Sequence, residues 1–152
     1  MPVLPEPQKK GGQAEQALGR SRGGFSTKIH VTVDGLGYPL RLHLTPGQRH
    51  DMIKAYDLIT DLHFDFVIAD RSYAAQAFLA AIAASGAEAV IPPKRNARSP
   101  WDYDTWRYRE RHLIECFIGK IKHFRRVFSR FDKLASRYLG FLHFVSTLIW
   151  LR

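Results

Sequence analysis

Residues Phe64 to Ile91 constrain the fold more than any other stretch. Phe64-Asp65-Phe66-Val67-Ile68-Ala69 is a short, mostly apolar run that ends on Asp70. Arg71-Ser72-Tyr73 and an alanine-rich segment from about Ala74 to Ala84 follow it directly. A run of this length that leads straight into a helix has the character of a buried parallel strand. Gly86 ends the helix, and Glu88-Ala89-Val90-Ile91 reads as a second strand closed by Pro92-Pro93. The unit is βαβ with a right-handed crossover, and the fold class is α/β. Asp70 is thereby placed at the C-terminal edge of an inner strand, where the ligand sites of open α/β sheets collect.

Upstream the pattern is a hairpin. Residues 25–33 and 38–44 alternate polar with apolar around Asp34-Gly35-Leu36-Gly37, and an Asp-Gly pair there is turn chemistry. Asp51 is the expected N-cap of a helix through Met52, Ile53, Tyr56, Leu58 and Ile59. Residues 1–24 hold Pro2, Pro5 and Pro7, then Lys9-Lys10-Gly11-Gly12 and Gly19-Arg20-Ser21-Arg22-Gly23-Gly24. They read as a flexible basic arm that serves either as a linker or as a segment lying along phosphates. Residues 25–152 then form one globular domain, since a chain of 152 residues is a single ordinary domain.

Downstream, one long helix is expected from about Tyr103 to Phe131. At about 100° per residue it places Tyr108, Arg111, Glu115 and Lys122 within roughly 60° of one another. Trp106, Leu113, Phe117, Ile121, Phe124 and Phe128 gather on the opposite side, as a floor for a core. A carboxylate held rigidly between two cations and a phenol suits phosphate chemistry. The acid can ligate a hard divalent cation, Arg and Lys can hold phosphates, and a tyrosine can stack on a base. The same pattern equally describes an amphipathic helix with a solvated charged face. The final helix, Asp132 to about Leu151, carries apolar residues on most sides and reads as a buried structural element.

Charge is unevenly spread. Residues 94–152 hold fourteen Lys and Arg against five Asp and Glu, whereas residues 29–93 hold four against seven. A basic surface of that density attracts a polyanion, foremost nucleic acid. Lys94-Arg95-Asn96-Ala97-Arg98 reads either as part of that surface or as a solvated turn. The C-terminal apolar stretch is interrupted by His143, Ser146 and Thr147 and is too short to span a bilayer, so a membrane is not an expected partner. Cys116 is alone, which excludes an internal disulfide and fits a reducing compartment. The seven histidines show no zinc spacing, and the N-terminus has no signal-peptide pattern.

The spacing Tyr108-x2-Arg111-x3-Glu115-x6-Lys122 resembles the Y-R-E-K signature of bacterial insertion-sequence transposases of the DDE superfamily. Gly19 to His30, Ala69-Asp70-Arg71-Ser72-Tyr73 and Ile91-Pro92-Pro93-Lys94-Arg95 add to the likeness. The resemblance implies an RNase H-like, retroviral-integrase-like catalytic core. It also implies metal-dependent DNA strand cleavage and strand transfer at insertion-sequence ends. Asp70 and Glu115 would be two of three acids holding two Mg²⁺ or Mn²⁺ ions. Tyr108, Arg111 and Lys122, with the basic residues Lys94, Arg95, Arg126, Arg20 and Arg22, would contact double-stranded DNA, both transposon ends and target. A homodimer and a cytoplasmic, nucleoid-associated location in a bacterium belong to the same implication.

The sequence departs from that family pattern at one place. Relatives carry the first acid on a strand upstream of the Gly-rich segment, where this chain has only Met1 to Gln8. Neither Glu6, between prolines, nor Asp34, in a turn, is placed to replace it. The expectation is a truncated core that lacks its first, central strand, with unpaired sheet edges left behind. Such a chain is either an incomplete transposase or a non-catalytic DNA-binding remnant or regulator.

Overall fold

The computed structural model describes residues 12–21 and 24–152. Strands β1 (Gly19–Ser21), β2 (Gly24–Val33) and β3 (Pro39–Pro46) come first. A 3₁₀ turn (Asp51–Lys54), α1 (Ala55–Ile59) and β4 (Phe66–Ile68) follow, then a 3₁₀ turn (Arg71–Tyr73), α2 (Gln76–Ala84) and β5 (Glu88–Val90). A 3₁₀ turn (Arg107–Arg111), α3 (His112–Lys122), α4 (Arg125–Phe128) and α5 (Ala135–Trp150) complete the order.

The hairpin forms as its turn chemistry requires. Asp34 Oδ1 accepts from the amides of Leu36 and Tyr38, each at 2.9 Å, and Gly37 takes the left-handed φ of 83° that a side chain resists. β2 and β3 then pair antiparallel from Thr27↔Pro46 to Val33↔Pro39, with an irregularity at Thr32/Val33. Alternation gives the ribbon two unlike faces. Val31 and Leu42 belong to a buried cluster with Phe117, Ile121, Val127, Tyr138, Leu142, Val145 and Ile149, and Ile29, Val33 and Leu44 pack against it. This face therefore binds α3, α4 and α5.

The other face is polar and is covered by α1 and the turn before it. Lys28 Nζ pairs with Asp51 Oδ1 at 2.8 Å, and Thr32 Oγ1 donates to Leu58 O at 2.8 Å. Arg41 Nη1 reaches the carbonyls of Asp57 and Thr60 at 2.5 and 2.7 Å. Between them His30 is buried, with Nε2 2.7 Å from Thr45 Oγ1. It faces His43 across the strands. Burial is the main cause that lowers the pKa of both imidazoles.

The βαβ unit has its own core. β4 and β5 pair parallel from Phe66↔Glu88 to Ile68↔Val90, and Ala55, Ala74, Phe78, Ile82, Ala87 and Ile91 form the cluster beneath α2. Gly86, at φ 82°, ends α2 as expected. The strands thus make two sheets, β1-β2-β3 and β4-β5, and no strand joins them among the described residues. β1 covers only Gly24–Ser26 of β2, so Thr27–Val33 has no strand opposite β3 among the described residues. α1 connects the halves, with Ala55 in the second cluster and Leu58 O bonded to the hairpin.

Several expectations are corrected. The single helix over 103–131 is a 3₁₀ turn, α3 and α4, because Asp104 Oδ1 caps the amides of Trp106 and Arg107 and Phe124 is extended (φ −85°, ψ 109°). Extension at Phe124 turns its ring toward the first core, where it packs. Trp106 and Phe128 lie in solvent instead of on a floor. α5 buries one face only, and Phe144 and Trp150 are exposed. His50, not Asp51, caps the turn before α1, which is itself short, and Ile53 and Tyr56 are exposed. Within residues 12–21 the expected arm is held to the domain. Ala17 is buried, its carbonyl accepts from Thr27 and Arg130, and Gln16 Oε1 accepts from Ala135 N. Among the described residues no helix is long and apolar enough to cross a membrane.

Two outcomes follow from the two cores and the imidazole layer. Leu142→Ala removes fully buried contacts and costs about 2–5 kcal/mol. Native-state hydrogen exchange will show the loss concentrated in β2 and β3 amides, with β4 and β5 less affected; equal loss in both sheets would show a single cooperative unit. For the histidines, both rings are neutral in folded and unfolded chains above pH 6.5, so neither state is favoured. As pH falls below 6.5 the unfolded chain takes up protons that the buried His30 ring and the half-buried His43 ring resist, and stability declines until the depressed folded values are passed. Urea midpoints between pH 7.5 and 5 will fall for the parent chain and fall less for His43→Gln.

Candidate active site

The chain remains extended past β4, where Ala69 N donates to Val90 O at 3.4 Å, and so delivers Asp70 to the strand edge. Asp70 caps the following turn: its Oδ1 accepts from Ser72 N at 2.8 Å and from Ser72 Oγ at 2.5 Å. The carboxylate is exposed, with one oxygen committed locally. Tyr73 follows it, and burial, with the charges of Asp51 and Asp70, pushes its phenol up to about 12, so it stays protonated. Beyond β5, Trp101 Nε1 donates to Ile91 O at 3.0 Å and pins the returning loop. Ala74, Gln76, Lys94, Asn96, Arg98 and Trp101 then line a cavity of about 350 Å³. The loop expected to face phosphate therefore lies beside the loop that follows Asp70, at one strand edge.

The second array stands on α3. Phe117 and Ile121 are buried beneath it, which fixes the helix and turns Glu115 to solvent. Arg111 Nη2 pairs with Glu115 Oε1 at 2.7 Å, the Arg111 guanidinium lies 5.9 Å over the Tyr108 ring, and Tyr108 meets Tyr103 edge-on at 5.4 Å. Tyr108, Arg111 and Glu115 are thus one contact chain. Their meeting does not come from an α-helical stripe, because Tyr108 and Arg111 sit in a 3₁₀ turn. Lys122, the fourth expected member, is exposed and has no ion pair among the described residues. Arg107 anchors the turn, donating to Glu88 Oε2 at 2.8 Å and lying 5.0 Å over the Phe66 ring.

No hydrogen bond or ion pair joins Asp70 to Glu115, and among the described residues no three of His, Cys, Asp and Glu assemble as a metal-holding group. Lys94, Arg95 and Arg20 are exposed. Arg126 is exposed on α4 and bonds Asp132 at 3.0 and 3.1 Å. Arg22 lies outside the described residues. Sequence reasoning missed Ser72 and Arg107. Asp-x-Ser is a local capping pattern that could have flagged the first; the link from Arg107 to Glu88 is nineteen residues long and leaves no local signal.

Comparison with known proteins places this geometry. The family model of the transposase DDE domain matches residues 4–144. A Brucella ovis protein described as a transposase for insertion sequence element IS6501 is 39% identical over 133 residues, covering 84% of this chain and 100% of the relative. No solved structure matches.

Because Asp70 is also a cap, its charge and its acceptor role separate by substitution. Asp70→Asn keeps an acceptor for Ser72 and will change urea stability by less than about 0.5 kcal/mol, whereas Asp70→Ala will cost about 1 kcal/mol. Equal losses would mean that the charge stabilises the turn.

Proposed function

The chain belongs to the transposase DDE domain family, whose general role is DNA transposition, and we propose that it serves there as the part of an RNase H-like catalytic domain that presents Asp70 and Glu115 to double-stranded DNA. The activity in this reading is metal-dependent strand cleavage and strand transfer at insertion-sequence ends, carried out by a homodimer on paired ends. The observation that carries it is the Tyr108–Arg111–Glu115 contact chain on a helix whose opposite face is buried. A second acid, Asp70, stands past the C-terminal end of a parallel strand of the sheet whose other end, at Phe66 and Glu88, anchors the Arg107 turn.

Each group has a physical task in this reading. The Arg111–Glu115 pair is solvent-exposed, with side chains 36% and 60% accessible. Such a pair is worth about 0–1 kcal/mol, so Arg111 can exchange Glu115 for a DNA phosphate. Lys122, Lys94, Arg95, Arg20 and Arg22 add sequence-independent phosphate contacts to the duplex. Tyr108 offers a ring edge or its hydroxyl, and Ser72 holds Asp70 at one oxygen.

DDE transposases generally work with divalent metal ions. Divalent ions, where a full donor set held them, would supply activation of a water or a DNA 3′-OH and stabilisation of a leaving oxygen. Asp70 and Glu115 alone do not fit that donor set, since no third ligating residue joins them among the described residues. Cleavage in this reading needs a further acid, carried on a strand at the open edge beside β2 or β4. The same observation favours a second reading, a DNA-binding transposase relative or regulator that does not cut.

The two readings part on the full chain with supercoiled DNA and Mn²⁺. The catalytic reading expects nicking once a strand carrying the further acid is supplied to the chain, nicking that Asp70→Asn and Glu115→Gln each abolish, with duplex binding kept within about threefold of the parent. Duplex binding without nicking leaves the non-cutting reading. Arg111→Ala and Lys122→Ala will each weaken duplex binding and lower its salt dependence by about one charge; unchanged binding in both would remove these residues from the interface.

A further inference from the structure

Three aromatic rings stand in solvent on the surface made by α4, the turn after it and α5. Phe128 is 72% exposed, and Phe131 and Phe144 are each 57% exposed. Two of them are linked to arginines, Phe131 directly and Phe144 through Phe141. Arg125 lies 5.5 Å over the Phe131 ring and Arg126 lies 4.9 Å over the Phe141 ring. Phe141 in turn meets Phe144 at 6.2 Å with 32° between the ring planes. Asp132 accepts from Arg126 Nη2. Asp132 follows Phe131 directly, so its bond to Arg126 ties the Arg125–Phe131 pair to the Arg126–Phe141 pair.

Exposed aromatic surface of this kind marks an interaction site, and its interleaved arginines select the occupant. A second copy docked face to face would set Arg125 and Arg126 against their own equivalents, which like-charge repulsion opposes. An anionic lipid surface answers the charge but has no flat π face to meet the rings. Duplex DNA answers the charge but keeps its base faces stacked inside. A single strand presents both phosphates and open base faces, and alternating aromatic and cationic groups are how such strands are held.

We propose that the α4–α5 surface is a stacking platform for unpaired bases of a DNA strand, with Phe131 and Phe144 receiving bases and Arg125 and Arg126 holding the flanking phosphates. The inference rests on the reading of the chain as a DNA-binding transposase, and adds the form of the DNA and the residues that meet it. It separates two jobs on one basic chain: the Arg111–Lys122 side meets duplex, and the α4–α5 side meets strand that has come unpaired.

The test is fluorescence anisotropy of the full chain with a labelled oligothymidine and with a duplex of equal length, over a salt series. Phe131→Leu and Phe144→Leu keep apolar bulk and remove the π face. Each will weaken oligothymidine binding about tenfold and change duplex binding less than twofold. Arg125→Gln will weaken oligothymidine binding and lower its salt slope by about one. Leucine variants that bind oligothymidine as the parent does overturn the proposal and leave the duplex reading standing. A parent chain that binds neither DNA overturns both. Concentration-dependent self-association in sedimentation, or binding to anionic vesicles, that the leucine variants abolish without weakening oligothymidine binding reassigns the patch and overturns the proposal.

Discussion

The packing of Phe117 and Ile121 against Leu142, Val145 and the apolar face of the β2–β3 hairpin is the constraint on which the rest depends. Burying each such side chain contributes about 1.5–3 kcal/mol, against about 0–1 kcal/mol for an exposed ion pair. The core therefore sets where α3 lies, and the polar array on its outer face follows. Glu115 faces solvent because Phe117 and Ile121 face inward. Arg130 extends the same constraint to the start of the described chain, donating to the carbonyls of Gln16 and Ala17 and to Thr27 while lying over the Tyr138 ring.

The second constraint is the division of the sheet. The hairpin can turn a polar face away from the helical core only because α1 and its preceding turn satisfy that face with Asp51, Leu58 O and Asp57 O. The βαβ unit solves its own burial separately, with Phe78 and Ile82 beneath α2. Each half is thus self-consistent, and strand edges stay open where the halves approach through α1. An open edge offers ladder hydrogen bonds to any strand that reaches it, and in the proposed catalytic reading a strand carrying a further acid would pair there.

What was legible in the sequence was whatever local chemistry decides. The Asp34 turn, the Gly86 stop and the apolar run into Asp70 each specify their conformation within a few residues, and the structure has all three. The long helix was misread because apolar residues at Trp106, Phe117, Ile121, Phe124 and Phe128 fit a helical period without revealing which are buried. Periodicity cannot tell a core ring from an exposed one, and the break at Phe124 is made by packing with α5 and the hairpin. For the same reason α5 was read as buried on most sides, although Phe144 and Trp150 face solvent. At the site, the position of Asp70 was legible from strand logic, whereas the anchoring of the Tyr108 turn through Arg107 to Glu88 joins distant segments and was not.

The two acids are held by unlike means, and this bears on how the surface can respond to DNA. Asp70 is fixed by its own backbone turn through Ser72, contacts that a passing phosphate cannot displace without unwinding the turn. Glu115 is held by a single partly exposed arginine on a rotatable side chain. A phosphate arriving at Arg111 would compete directly with Glu115 for the same guanidinium, since arginine makes strong charge-assisted bonds to phosphate as it does to carboxylate. In the proposed reading, occupation of the basic face by phosphate would release one carboxylate and leave the other in place. The acid that would be freed stands on a helix that Phe117 and Ile121 pin to the core, so its main chain would stay fixed while its partner changes.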